Sequence, residues 1–188
     1  MDLGLKGKTA LVTGGSKGIG AGICSVLAGE GCNLVINYRS DGNKARCFAE
    51  KLMEEHAVRA KAIRADVSKE AETEELMECA VLDFGQIDIL INNAAGGYRP
   101  NAFQNISAQE WQNAGEGLLN SAFYMSRLFL EHCLARKKGG HIVNILSKSA
   151  ILSSSVNNLA YVAYKGALTS LTRGMAKEFI SYGIYVNG

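Results

Sequence analysis

The 188-residue chain has one proline, Pro100, and it carries no Pro-rich linker, low-complexity tract or internal repeat. It therefore reads as one domain spanning residues 1–188, long enough to bury a substantial core. Excess charge of either sign is also lacking: 20 Lys and Arg stand against 18 Asp and Glu. That balance disfavours nucleic acid as a partner. No apolar run approaches the roughly 20 residues needed to span a bilayer, so no membrane partner is expected. The opening "MDLGLKGKTALVTGG" lacks a basic start followed by a long apolar run, so no secretory signal is expected. The cysteines at 24, 32, 47, 79 and 133 form no C-x-x-C, and His56, His132 and His141 are scattered. Zinc spacing is therefore absent, no metal is expected, and reduced thiols in a cytoplasmic protein are the consistent reading.

What the chain does contain is an alternation of short β-rich runs with longer helical patterns. "KTALVTG", "NLVINY", "VRAKAIRAD", "IDILINNA", "HIVNILS" and "IYVNG" read as six strands. Between them lie helical stretches, including long ones from about Ser107 to Lys138 and from about Asn158 to Tyr182. Strands this apolar, each followed by a helix, predict a parallel sheet covered on both faces: a doubly wound α/β domain. The chain stops at Gly188, just after its sixth strand and without a covering helix. An uncovered edge strand is a liability, so a longer parent chain is the expectation.

Between the first strand and first helix lies "TGGSKGIG", with Gly14, Gly18 and Gly20 spaced as G-x-x-x-G-x-G. Such a turn lets a pyrophosphate approach bare backbone, and the helix that follows aims free N–H groups at it. At the end of the second strand, an NAD site usually offers a carboxylate to the ribose 2′-hydroxyl, whereas an NADP site offers a cation to the 2′-phosphate. Here the sequence reads Asn37, Tyr38, Arg39, Ser40, and Lys17 adds a cation inside the glycine loop. NADP(H) is the expected cofactor, with Asp41 keeping NAD(H) as the lesser alternative.

The stretch "AYVAYKGAL" places Tyr161, Tyr164 and Lys165 within five positions. Residues four apart share a helix face, so Tyr161 and Lys165 are partners, while Tyr164 turns away and is expected to pack. Reduction of a ketone by hydride leaves a developing alkoxide that a phenol can protonate. A free phenol titrates near ~10. An ammonium at ~4 Å, in an effective dielectric of about 20, supplies the roughly 4 kcal/mol that brings such a group toward ~7. Ser147, at the end of the fifth strand, lies where parallel sheets place ligands and can donate to the substrate oxygen; Ser149 is a competitor.

"TGGSKGIG", "ADV" at 65–67, "NNAAG" at 92–96, "HIVNILS", "YVAYK" and "GIYVNG" together resemble the short-chain dehydrogenase/reductase family over essentially the whole chain. The resemblance implies a Rossmann fold lacking, in these residues, the C-terminal strand and substrate loop. It implies a catalytic set of Ser147, Tyr161 and Lys165, with Lys165 also holding the nicotinamide ribose. It implies a cofactor lying along Gly14, Ser16, Lys17, Gly18, Ile19 and Gly20, then Tyr38, Arg39 and Ser40, with Asp66 and Val67 at the adenine and Asn93 and Ala94 beside it. The substrate would be a small molecule, its specificity set by residues 95–105, by residues 150–158 and by the region missing from this chain, in a homo-oligomer (tetramer or dimer) formed through the two long helices.

The implied activity is NADPH-dependent reduction of a carbonyl, most like the 3-oxoacyl-carrier-protein reductases of fatty acid metabolism. Two departures qualify it. Counting from Trp111 and back from Phe123, the family's usual catalytic asparagine is Leu118 here, and Asn120, about 200° further around an ideal helix, is a poor substitute. "NNAAGGY" and "LLNSAFY" resemble the enoyl- and 2,4-dienoyl-thioester reductases, although that subgroup tends to carry a polar residue where this chain has Gly97. An enoyl reductase is thus the first alternative, and a non-catalytic dinucleotide-binding module the second.

Overall fold

The computed structural model describes residues 3–152 and 156–188. Six strands form one sheet: β1 (Thr9–Val12), β2 (Asn33–Tyr38), β3 (Ala60–Arg64), β4 (Ile89–Asn92), β5 (Gly140–Asn144) and β6 (Ile184–Asn187). All neighbours are parallel, in the order β3-β2-β1-β4-β5-β6. The order reverses between β1 and β4. That switch point opens a crevice at the strands' carboxyl ends, where open α/β sheets bind ligands.

Strand alternation feeds two cores. Ala10, Val12, Leu34, Ile36, Ile89 and Ile91 point to the face covered by α1 (Gly18–Gly29) and α2 (Gly42–His56), packing with Cys24, Ala28, Ala49 and Leu52. Leu11, Val35, Leu90 and Ile142 point the other way. They meet Leu76 and Met77 of α3 (Glu70–Phe84) and Met125 and Phe129 further along. Side chains at successive strand positions alternate faces, so apolar runs of this kind fill both layers at once.

The expected 107–138 helix is divided. Ser107 and Glu110 form a reciprocal capping box that starts α4 (Ala108–Gly115). A π-helical turn over Glu116–Asn120 follows, then α5 (Ser121–Ala135). The expected fifth strand also ends early: β5 stops at Asn144, so Ser147 lies in the turn beyond it, followed by the short α6 (Ser149–Leu152). The last helix, α7 (Leu159–Phe179), gives way to a 3-10 turn over Ile180–Tyr182. No helix among the described residues is long and apolar enough to cross a membrane.

Candidate active site

A cleft of about 930 Å³ occupies the switch point. Its walls include Gly14, Ser16, Lys17, Gly18, Ile19, Tyr38, Arg39, Ser40, Asp66, Val67, Asn93 and Ala94. Gly20 lies just behind: a Cβ there would strike the Gly14 carbonyl and come within 2.6 Å of Asn93 Nδ2. The first turn of α1 must therefore pass the loop as bare backbone, and Gly14 and Gly18 take positive φ to make the turn.

The loop is held by polar side chains whose roles the sequence pattern did not disclose. Buried Asn37 accepts the Gly14 amide at 3.1 Å and donates to the Ala65 carbonyl at 3.0 Å, joining the ends of β1, β2 and β3. Asn93 donates from Nδ2 to the carbonyls of Thr13 and Gly14, at 2.9 and 3.2 Å. Thr13 Oγ1 in turn accepts the amides of Asn93 and Ala94. The Asn93 amide thus clamps β4 to the glycine loop while also lining the cleft.

Asp66 Oδ1 accepts from the Ser68 amide and hydroxyl, and Oδ2 lies 3.8 Å from Arg39 Nη1. Partial burial alone would raise the Asp66 carboxyl. The Ser68 hydrogen bonds and the Arg39 and Lys69 cations outweigh it and hold the group below the usual carboxylate range.

Ser147, Tyr161 and Lys165 stand outside the residues that line this cleft. Lys165 is 3% exposed, and its Nζ donates to the Ile145 carbonyl at 2.6 Å, just past β5. Burial lowers its titration below the usual lysine value. Ser147 Oγ accepts the Ser149 amide at 3.2 Å. The Tyr161 ring lies against Tyr98, centroids 5.0 Å apart and tilted by 34°. Tyr164 packs on Trp111 at 4.9 Å and fills the space over Gly115. That packing role is the one expected for it.

Leu118 is 1% exposed and packs in an apolar cluster with Ala114, Ala160, Tyr98, Tyr161 and Tyr164. The helix here is π-wound rather than ideal, so an angle counted at 100° per residue does not carry over to Asn120. Tyr98 is fixed by backbone contact: a side chain at Gly97 would strike the Asn113 carbonyl, and one at Gly117 the Gly96 carbonyl. The loop's far end is tied by the Asn101 amide donating to Asn157 O at 2.7 Å. Of the stretch expected to set specificity, residues 153–155 lie outside the described residues.

The family model for short chain dehydrogenases matches residues 8–188. A 3beta-hydroxysteroid dehydrogenase of Eggerthella lenta is 38% identical over 183 residues, covering 97% of this chain and 69% of the relative. A 3-oxoacyl-[acyl-carrier-protein] reductase of Staphylococcus epidermidis is 35% identical over 180 residues, covering 96% and 72%. A short chain dehydrogenase from Burkholderia cenocepacia, solved in complex with NADP, superposes with a TM-score of 0.89 at 31% identity, covering 97% of this chain and 73% of that one. The cleft, the sheet order and these matches define a nicotinamide-dinucleotide oxidoreductase. The chain belongs to the short-chain dehydrogenase family.

Proposed function

We propose that the chain is an NADP(H)-dependent reductase acting on the carbonyl of a 3-oxoacyl thioester or a similar ketone. The observation that carries this reading is the placement of Lys165: a buried ammonium fixed just past the carboxyl end of β5, one helical turn from Tyr161 on α7. The glycine loop suits the pyrophosphate, since Gly20 leaves no side chain where the loop and helix meet. Lys17 and Arg39 on the cleft wall suit a 2′-phosphate, and the Burkholderia neighbour was solved with NADP.

In the proposed reaction the nicotinamide supplies the hydride. Tyr161 Oη donates its proton to the substrate oxygen as negative charge develops there. Ser147 Oγ donates a hydrogen bond to the same oxygen. The Lys165 ammonium favours the phenolate that remains after transfer, and its bond to Ile145 O keeps the side chain from turning to solvent. Leu118 and Tyr98 pack in one apolar cluster with the Tyr161 ring, a packing role at the position where the family resemblance implies an asparagine.

Gly97 weighs against the dienoyl-type alternative, because its positive φ and the nearby Asn113 carbonyl leave no room for the polar side chain of that subgroup. Two copies would meet through the apolar face of α5 and α7, where Phe123, Leu130, Leu134, Leu171, Met175 and Phe179 line a shallow groove. NADPH consumption should be followed with a 3-oxoacyl thioester and with a 2-enoyl thioester. The reading expects turnover of the first, lowered about 10²–10⁴-fold by Tyr161→Phe. Turnover of the enoyl substrate alone would replace it with the alternative.

A further inference from the structure

We propose that Lys44 is a specificity-determining residue, supplying a cation to the 2′-phosphate of NADP(H) in addition to those of Lys17 and Arg39. This rests on the NADP(H) reading above. Four cationic side chains line the cleft: Lys17, Arg39, Lys44 and Lys69. Two already face carboxylates. Lys69 Nζ lies 3.2 Å from Glu116 Oε2, and Arg39 Nη1 lies 3.8 Å from Asp66 Oδ2. Lys17 and Lys44 have no ion-pair partner among the described residues. Uncompensated cations on a concave wall favour an anion there.

The two reach the cleft from different elements: Lys17 belongs to the glycine loop that precedes α1. Lys44 stands on the first turn of α2, a few residues beyond Tyr38 at the end of β2 and the Arg39–Ser40 turn that follows it. Local structure explains how it is presented. Asp41 caps α2, its Oδ1 accepting the Lys44 amide at 3.0 Å. One oxygen of the Asp41 carboxylate, which also lines the cleft, is thereby engaged with the helix start, and the Lys44 side chain is exposed on the cleft wall. Arg46, the other cation of this turn, donates to Asn43 at 2.6 Å and is not a lining residue.

NADH lacks the 2′-phosphate, so the effect of Lys44 should fall on NADPH alone. Dissociation constants for NADPH and NADH should be measured by calorimetry on the wild-type chain, Lys44→Gln and Lys44→Arg. Lys44→Gln is expected to weaken NADPH about tenfold while leaving NADH within about twofold. Lys44→Arg should retain NADPH affinity, and added salt should narrow the gap between wild type and Lys44→Gln. Equal weakening of both cofactors, or of neither, overturns the assignment while leaving the NADP(H) reading standing. A wild-type chain that binds NADH as tightly as NADPH overturns that reading, and the role of Lys44 with it.

Discussion

Gly20 and Gly22 both lie in α1, two residues apart, and the fold treats them in opposite ways. At Gly22 an added Cβ meets nothing within 4 Å. Gly22→Ala should therefore gain the ordinary helix advantage of alanine, about 1 kcal/mol. At Gly20 the same atom strikes the Gly14 carbonyl and crowds Asn93 Nδ2 at 2.6 Å. Asn93 must then release its bonds to Thr13 O and Gly14 O, worth about 1 kcal/mol each. Overpacking adds about 1–3 kcal/mol. Set against the same helix gain of about 1 kcal/mol, the net cost is about 2–4 kcal/mol. For a chain of this length each kcal/mol shifts Tm by roughly 2–4 °C. Gly22→Ala should unfold a few degrees above wild type, and Gly20→Ala on the order of 10 °C below it. Saturating NADPH, which stabilises by about 2.7 kcal/mol at 100 times Kd, should raise the Tm of Gly22→Ala and scarcely move that of Gly20→Ala. Differential scanning calorimetry decides the matter. A Gly20→Ala chain that unfolds at or above Gly22→Ala would refute the close-approach argument.

Burial pushes the thiols of Cys24, Cys32 and Cys133 up, to about 12, 11 and 11. Brief iodoacetamide treatment of the folded chain should label the exposed Cys47 and Cys79 and spare those three, as peptide mass mapping would reveal. Lys165 titrates below its ordinary 10.5 in the folded state, so the fold binds that proton less tightly than the unfolded chain does. The resulting penalty is present in full below the folded pKa and is relieved as pH rises from there to 10.5. Wild type should gain stability relative to Lys165→Met across that window in urea titrations, and a pH-independent difference would contradict the sign. Phe123 is 47% exposed and Leu134 39% exposed on the α5 face. If two copies meet there, Phe123→Asp should reduce the sedimentation coefficient to that of a monomer while the far-ultraviolet circular dichroism stays that of the folded chain, whereas an unchanged assembly would place the interface elsewhere.

The sheet was legible because it is local. Runs such as "LVINY" alternate faces, and each is bounded by glycine or a charged cluster, so strand positions and parallel pairing followed from pattern alone. That the glycine loop and the Arg39–Ser40 stretch line one cleft was legible for the same reason, since each is a contiguous segment at a strand end. What the pattern could not give are contacts between distant segments. Asn37 and Asn93 look like ordinary strand-end polars, yet they hold the loop from 23 and 79 positions away. The Gly97 and Gly117 approaches, which fix Tyr98 on Tyr161, join a loop to a helix interior. The π-turn over Glu116–Asn120 sits beside the Gly96–Gly117 approach. No spacing rule at 100° per residue foresees such a turn. The early end of β5 is tertiary too. Ile145 N still bonds Asn92 O, but the Ile145 carbonyl is taken by Lys165, and regular pairing stops.

The proposed reaction turns on hydride transfer to a carbonyl with Tyr161 as proton donor. Mass spectrometry should be applied to the product formed from a 3-oxoacyl thioester and NADPH carrying deuterium at both hydrogens of nicotinamide C4. A 3-hydroxyacyl product with one deuterium on the former ketone carbon is expected, with near-complete loss of that product in Tyr161→Phe. Product without deuterium, or deuterated product formed equally fast by Tyr161→Phe, would contradict it.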